Sequence, residues 1–452
     1  MSDGATLEAV LDAVTERVVP TPAERDRLQS AVTALRERTA DVVGAREYDT
    51  DVTLVGSTAR DTWLREDRDI DIFVRFPPDL DRSTLESEGL AIGHEVLPDG
   101  REAFAEHPYV TGTYDGFDVD LVPCFDVESA SETRSAVDRS PFHTAYVREQ
   151  LDSESTTAVR LTKQLLKGIG AYGSDLKTEG FSGYLVELLV LEYGDVRSLL
   201  EAASAWSPPV RLDPENHGKS EFEDPLVVVD PTDPHRNVAA VVSADHVARL
   251  QHYARSLLAD PRESVFTSSL PEAVSEAAVR AHLERRETQP LAIRFDAPDI
   301  VDDQLYPQLR RSLRGLVTGL ETHGFRVLRA TTFAADDAVL FLECSVASLP
   351  AVERHVGPPV ALEDHASGFY ETYADADCDG PFIEDGRYVV ERERSIQTAR
   401  AFAEQRFLEG SVGADVEVVV ETSGYDVLAG SEVLELVTCF GTELGAYFDP
   451  TP

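Results

Sequence analysis

Val55-Gly56-Ser57-Thr58-Ala59-Arg60-Asp61-Thr62-Trp63-Leu64 runs into Arg68-Asp69-Ile70-Asp71-Ile72-Phe73-Val74, and about fifty residues on comes Phe117-Asp118-Val119-Asp120-Leu121-Val122-Pro123. Strand side chains alternate between faces. Asp69 and Asp71 therefore share one face while Ile70, Ile72 and Val74 share the other, and Asp118 and Asp120 likewise oppose Phe117, Val119 and Leu121. Each strand offers an apolar side to a core and a carboxylate side to something else. If the two strands are neighbours, three or four carboxylates converge, and two of them ~4 Å apart repel by about 4 kcal/mol at an effective dielectric of about 20. Such a cluster calls for divalent cations. Hard oxygen ligands without sulfur or imidazole partners suit Mg²⁺ or Mn²⁺, and two metals so held activate an attacking oxygen and stabilise a leaving phosphate.

Residues 51–55 read as a strand and Thr58 to Glu66 as a short helix, which places Gly56-Ser57 at the turn between them. There, backbone amides, a hydroxyl and the helix dipole can hold an anionic phosphate. Gly-Ser alone also fits an ordinary turn with an N-cap, and Asp-x-Asp alone fits a solvated edge in a very acidic protein. Their combination at this spacing is much more specific than either part.

The series Gly-Ser, Arg-x-Thr, Asp-Ile-Asp-Ile-Phe and Asp-Leu-Val-Pro resembles the nucleotidyltransferase superfamily of DNA polymerase beta. With the further blocks Glu106–Val110, Ser135–His143, Gly180–Leu185, Asp233–Ala240 and Asp299–Gln308, the chain is similar to the archaeal class I CCA-adding enzymes, which are tRNA nucleotidyltransferases. The resemblance implies an α+β multidomain protein: a polymerase beta-like catalytic head (1–140), a helical neck (141–263), and a tRNA-binding α+β body with an inserted tail (264–452). It implies that Asp69, Asp71 and Asp120 hold two Mg²⁺ ions while the 3′-hydroxyl of tRNA attacks the α-phosphate of CTP or ATP. Asp118 shares the face of Asp120, and alternation does not separate them; the position before Leu-Val-Pro favours Asp120. The resemblance also implies that Gly56, Ser57, Arg60, Ser140, His143, Lys163, Tyr172 and Arg236 meet the nucleotide, and that His107 belongs to the pocket for the RNA end. Ser140 stands where the family often has Thr, which keeps the hydroxyl. A homodimer is compatible with the family pattern. Two other classes remain open at this level: an RNA 3′-terminal transferase of the poly(A) or oligoadenylate type, and an RNA-binding protein without activity.

At 452 residues, 42% of them hydrophobic, the chain is long enough for several globular cores. It shows no leading basic and apolar segment of the signal-peptide kind, and the apolar run near Leu185 to Leu191 is short and broken by Glu187. A cytoplasmic protein is expected, with Cys124, Cys344, Cys378 and Cys439 as scattered reduced thiols.

The formal net charge of −42 runs against an RNA substrate if taken alone. The acid is spread along the chain instead of forming a tail. Lys163, Lys167, Lys177 and Lys219 are the only lysines, so 37 of the 41 basic residues are arginine. This is the surface expected in a highly saline cytoplasm, where the Debye length is ~3 Å or less and counterion release adds little to RNA binding. Three of the four lysines lie between 163 and 177, on a segment with helical periodicity. A compact ammonium kept where arginine is otherwise general suits a phosphate ligand, and chance clustering on one helix is the plain alternative.

Along the chain, 6–17 and 22–40 read as helices with Thr21 as an N-cap, and Ser83 to Leu97 as another helix. Tyr109 to Tyr114 and Phe117 to Cys124 form a hairpin across Asp115-Gly116. Helical periodicity dominates 141–263. Beyond Pro271, strands are expected over Leu291–Phe295, Val339–Cys344, Tyr388–Glu391 and Val416–Val420, and helices over Tyr306–His323 and Ser395–Leu408.

Overall fold

The computed structural model describes residues 6–65, 67, 69–267 and 272–452. Glu66, Arg68 and Pro271, which figure in the sequence reading, lie outside the described residues. The chain divides into two compact units, 1–269 and 270–451.

The first unit opens with α1 (Leu7–Val18) and α2 (Pro22–Gly44). Thr21 caps α2 as expected. Its hydroxyl accepts from the Glu24 N–H at 3.3 Å while the Glu24 carboxylate accepts from the Thr21 N–H at 2.7 Å, and Pro22 occupies the first turn, where its missing donor costs nothing. β1 (Asp51–Val55), α3 (Gly56–Arg60), β2 (Asp69–Phe76), α4 (Arg82–Val96), β3 (Arg101–Phe104), β4 (Pro108–Tyr114) and β5 (Phe117–Phe125) follow. They build a five-stranded sheet in the order β1-β2-β5-β4-β3. The turn between β4 and β5 places Asp115 at φ 49° and Gly116 at φ 79°, the tight-turn geometry that Asp-Gly accepts. The apolar faces of β2 and β5 carry Ile70, Ile72, Val119 and Leu121, all fully buried in a core with Leu35 of α2 and Leu85 and Ile92 of α4. That packing leaves the opposite face for the acids.

α3 departs from expectation. The helix expected over Thr58 to Glu66 starts earlier, at Gly56, and ends at Arg60, where Asp61 turns into the left-handed region at φ 54°. The reason lies about a hundred residues away. Carbonyl groups that a longer helix would use internally are taken by the side chains of Arg160 and Lys163: Arg160 donates to the backbone oxygens of Asp61 and Trp63, and Lys163 to that of Thr62.

α5 (Ser140–Gln150), α6 (Ser153–Gly168), α7 (Gly183–Tyr193), α8 (Val196–Ser204) and α9 (Ala244–Ala259) form the helical remainder of this unit. The segment between α8 and α9 is not helical. It holds β6 (Val210–Leu212), β7 (Leu226–Asp230) and β8 (Asp233–Asn237), a small sheet centred on the wholly buried β7.

The second unit contains α10 (Glu276–Arg286), β9 (Gln289–Asp296), α11 (Asp302–Thr322), β10 (Val327–Ala334), β11 (Asp337–Cys344), β12 (Val352–Pro359), α12 (Glu363–Tyr373), β13 (Asp379–Glu384), β14 (Arg387–Glu393), α13 (Ala399–Arg406), α14 (Ala414–Ser423), β15 (Asp426–Ala429) and α15 (Val437–Phe448). One sheet runs β10-β11-β9-β15 and a second, inserted between its strands in sequence, runs β12-β14-β13. The strand expected at Val416–Val420 is helix α14 instead. Val416 and Val420 are buried while Val418 is 60% exposed, so the valines obey the four-residue spacing of a helix face, and β15 takes the sheet edge beside β9. The helix expected from Ser395 begins only at Ala399, where the Thr398 hydroxyl caps it.

Candidate active site

β2 and β5 run parallel with Asp69 opposite Asp118 and Asp71 opposite Asp120, which puts two rows of carboxylates on the face away from the core. These four line a cavity of about 450 Å³ together with Tyr109 and Thr111 of β4 and Arg101 of β3. Crowding shows in the acidities. Burial first, then the charges of Asp120 and Asp69, push the Asp71 carboxyl up to about 7. Asp69 is raised by burial and by Asp67, Asp118 and Asp120. Asp120 is raised by burial and by Asp118, against a lowering hydrogen bond from Thr111, its register partner on β4.

Gly56 sits directly against Asp71, at φ +72°, and begins α3 with Ser57 next to it. The Thr58 hydroxyl donates to the Asp69 carbonyl at 2.5 Å, tying the start of α3 to β2.

Arg60, at the end of α3, joins this face to the neighbouring helices. Its Nη1 donates to the Thr144 hydroxyl on α5 at 3.1 Å, and its Nε lies 2.8 Å from Glu187 Oε2 on α7. Its charge bears on Asp71, Lys163, Tyr172 and His143 alike. Lys163 on α6 is buried, and its Nζ donates to the Thr62 carbonyl and hydroxyl at 3.0 and 3.2 Å. Burial draws its ammonium down to about 8, with Glu187 pulling the other way. Tyr172 lies close by; a Cβ on Gly183 would stand 3.1 Å from its hydroxyl and 3.5 Å from Lys163 Nζ.

A second group forms around the buried Asp230 at the end of β7. His143 Nε2 contacts its Oδ2 at 2.9 Å, Arg236 Nη1 donates to the same oxygen at 2.8 Å, and the Tyr184 hydroxyl donates to Oδ1 at 3.2 Å. The His143 ring stacks on Tyr184 with centroids 3.9 Å apart. Burial holds His143 below its ordinary pKa, so its contact with Asp230 is a neutral N–H donating to a carboxylate. Burial alone would raise Asp230, but the hydrogen bonds from His143 and the Thr232 backbone, with the charge of Arg236, hold it far below the carboxylate range. Ser140 stands at the start of α5, one turn before His143.

The structure thus gathers Gly56, Ser57, Arg60, Asp69, Asp71, Asp120, His143, Lys163, Tyr172 and Arg236 around neighbouring elements of one unit. His107 stands apart from the carboxylate cavity. It is buried between α4 and the sheet, with Nδ1 3.3 Å from Glu86 Oε1 and its ring edge on Phe125. The sequence pattern does not mark Glu187, Asp230 or Tyr184 as site residues. The one signal for Glu187 is a charge in the middle of an apolar helix.

Among the described residues, no three carboxylate, imidazole or thiol groups are drawn together tightly enough to enclose a metal ion. The donor set nevertheless fits a hard divalent cation: oxygen ligands only, on one sheet face, with carboxyl groups whose acidity is suppressed by one another.

A relative from Halorubrum lacusprofundi, a CCA-adding enzyme, is 56% identical over 99% of both chains. The chain belongs to the CCA-adding enzyme family. The CCA-adding enzyme of Halobacterium salinarum is likewise 56% identical over the full length of both chains, and that of Methanosarcina barkeri is 40% identical over 94% of each. Family models match in sequence: the nucleotidyltransferase domain over 36–143, the second domain of tRNA nucleotidyltransferase over 157–267, and the C-terminal domain of CCA-adding enzymes over 286–430. The nearer two of these relatives come from halophiles, in keeping with the −42 charge.

Proposed function

We propose that this chain adds CCA to the 3′ end of tRNA without a nucleic-acid template, taking CTP and ATP and releasing pyrophosphate. The observation that carries this reading is the extent of the family match, which runs through the C-terminal domain as well as the nucleotidyltransferase domain. A poly(A)-type enzyme needs to share only the latter.

Asp69, Asp71 and Asp120 would hold Mg²⁺, two ions in all. When bound, such ions lower the pKa of the attacking 3′-hydroxyl and neutralise the triphosphate. Asp118 shares a row with Asp69, and Asp120 is preferred to it because Asp120 stands directly before Leu121-Val122-Pro123. Arg60, with its guanidinium fixed by Thr144 and Glu187, brings charge to the phosphates. Lys163 remains largely protonated at neutral pH and exchanges a hydrogen bond with Thr62 for one with a phosphate oxygen. Ser57 adds a hydroxyl at the same turn, and Tyr172 and Ser140 line the sugar and phosphate side. Neutral His143 and the Asp230-anchored Arg236 stand where base and ribose are read. No helix among the described residues is long and apolar enough to cross a membrane, and the proposed place of work is the cytoplasm.

The test is incubation of tRNA lacking its CCA end with CTP, ATP and Mg²⁺ in high salt, followed by sequencing of the 3′ end. Addition of C, C and A in that order is expected. Extension by A alone, or none, would overturn the reading.

A further inference from the structure

Glu187 is a charge that the apolar helix around it does not explain. Its neighbours Leu185, Val186, Leu188, Leu189 and Val190 are all buried core residues, and Glu187 itself is fully buried. A carboxylate taken out of water is strongly unfavourable unless paired, and a buried ion pair is seldom more stabilising than an apolar replacement. Stability alone therefore gives no reason for an acid here.

Its contacts do. Oε1 accepts from the Thr62 hydroxyl at 2.5 Å and lies 3.8 Å from Lys163 Nζ, and Oε2 lies 2.8 Å from Arg60 Nε. One carboxylate thus touches the end of α3, the segment that follows it, and α6. Lys167 and Arg160, the other cations on that face of α6, have acids of their own in Asp67 and Asp61. Glu187 is in direct contact with both Arg60 and Lys163, while Asp71 and Asp67 act on them singly and from farther off.

We infer that Glu187 is a positioning residue for the triphosphate site, setting Arg60 and Lys163 in place before nucleotide arrives. The inference rests on the proposed role of those two cations in binding the triphosphate. Glu187 is removed from the reacting atoms, and it acts through the side chains it holds.

The experiment is steady-state kinetics of Glu187→Gln in molar KCl, with tRNA lacking CCA and each nucleotide varied in turn. The substitution keeps the size and an acceptor for Thr62 but removes the charge. KM for both CTP and ATP should rise on the order of tenfold, with kcat and tRNA affinity changing much less, which marks lost ground-state binding. A pH readout separates this from a structural effect. Lys163 is faced by Glu187 on α7, Arg60 on α3, Asp67, Tyr172, and Arg160 on its own helix. Without its main opposing charge it should lose its proton at lower pH, so KM in Glu187→Gln should begin to climb at or below neutrality, whereas that of the unsubstituted enzyme climbs only as pH approaches about 8. Glu187→Asp should restore part of the affinity. KM within about twofold of the unsubstituted enzyme, or a loss of rate matching the loss of folded protein, would overturn the inference. If Glu187→Gln does not fold, Thr62→Val replaces it: a raised KM supports the inference and an unchanged one overturns it. An unsubstituted enzyme that fails to extend tRNA would sink the proposed function instead.

Discussion

Gly56 and Asp71 touch so closely that a Cβ on Gly56 would stand 1.9 Å from Asp71 Oδ2. The backbone there has φ +72°, a region that costs a side-chain-bearing residue about 1 kcal/mol or more. Gly56→Ala must therefore push the carboxylate out of the row it shares with Asp120. Because a displacement of about 1 Å can cost ~10²-fold in rate, turnover should fall at least that far. Circular dichroism should remain native, since the apolar core lies on the other face of β2. Turnover near that of the unsubstituted enzyme would show that this contact does not position Asp71.

Asp→Asn changes at 69, 71 and 120 should each lower turnover by at least ~10³-fold, about 4 kcal/mol of barrier, with tRNA affinity little altered. Asp118→Asn should have a clearly smaller effect, because Asp120, directly before Leu121-Val122-Pro123, holds the position the family motif gives to the ligand. Rapid-quench kinetics with saturating Mg²⁺ distinguishes the four. A loss at Asp118 equal to that at Asp120 would make both of them ligands.

The raised pKa of Asp71 gives a pH prediction for metal-free protein. Its carboxyl titrates at about 7 when folded, against an ordinary 3.8. The folded state therefore holds a proton that the unfolded chain has already released, and stability is lost as pH rises through about 7. Asp71→Asn removes that penalty. In EDTA and molar KCl, its melting temperature should exceed that of the unsubstituted protein at about pH 8 and the two should converge near pH 4. A lower melting temperature at the higher pH would show that Asp71 is stabilised by a partner, contrary to the crowding described here.

What the sequence discloses about this site depends on how local each cause is. The alternation of Asp69 and Asp71 with isoleucines, the Asp115-Gly116 turn and the Thr21 cap are set by residues within a few positions, and all appear as expected. The early end of α3 depends on Arg160 and Lys163 reaching back from α6, and no local pattern near Asp61 announces that. The valines of α14 look strand-like because β-branched residues favour strands, and only the sheet position taken by β15 decides against it. Glu187 shows only as a charge in an apolar helix and Asp230 not at all for the same reason: their partners arrive from separate elements.

Self-repulsion at a net charge of −42 gives the salt prediction. Many ion pairs among the described residues are exposed, such as Arg27 with Asp115 and Arg197 with Glu201, and exposed pairs add little stability to offset the excess acid. Folded structure and activity should both decline from molar to ~0.1 M KCl, where the Debye length grows to about 10 Å. Full stability by scanning calorimetry in dilute buffer would remove the saline explanation for the charge.

Base choice without a template turns on Arg236. Its Nη1 is anchored on buried Asp230, and its side chain is one-third exposed, so the guanidinium is held in one orientation at an accessible surface. A guanidinium carries donors only, in a fixed fork. Cytosine O2 and N3 and adenine N1 are acceptors, whereas uracil N3 and guanine N1 present donors. A buried donor facing a donor costs about 1 to 3 kcal/mol, enough to reject UTP and GTP by one to two orders of magnitude. Arg236→Ala should therefore lower kcat/KM for CTP and ATP more than it weakens tRNA binding, and should narrow the gap to UTP. Asp230→Asn should narrow it as well, because the amide cannot hold Arg236 by charge and sets an N–H among donors from His143, Tyr184 and Thr232. Steady-state comparison of the four nucleotides decides the matter: unchanged discrimination in folded Arg236→Ala would place base selection on other groups.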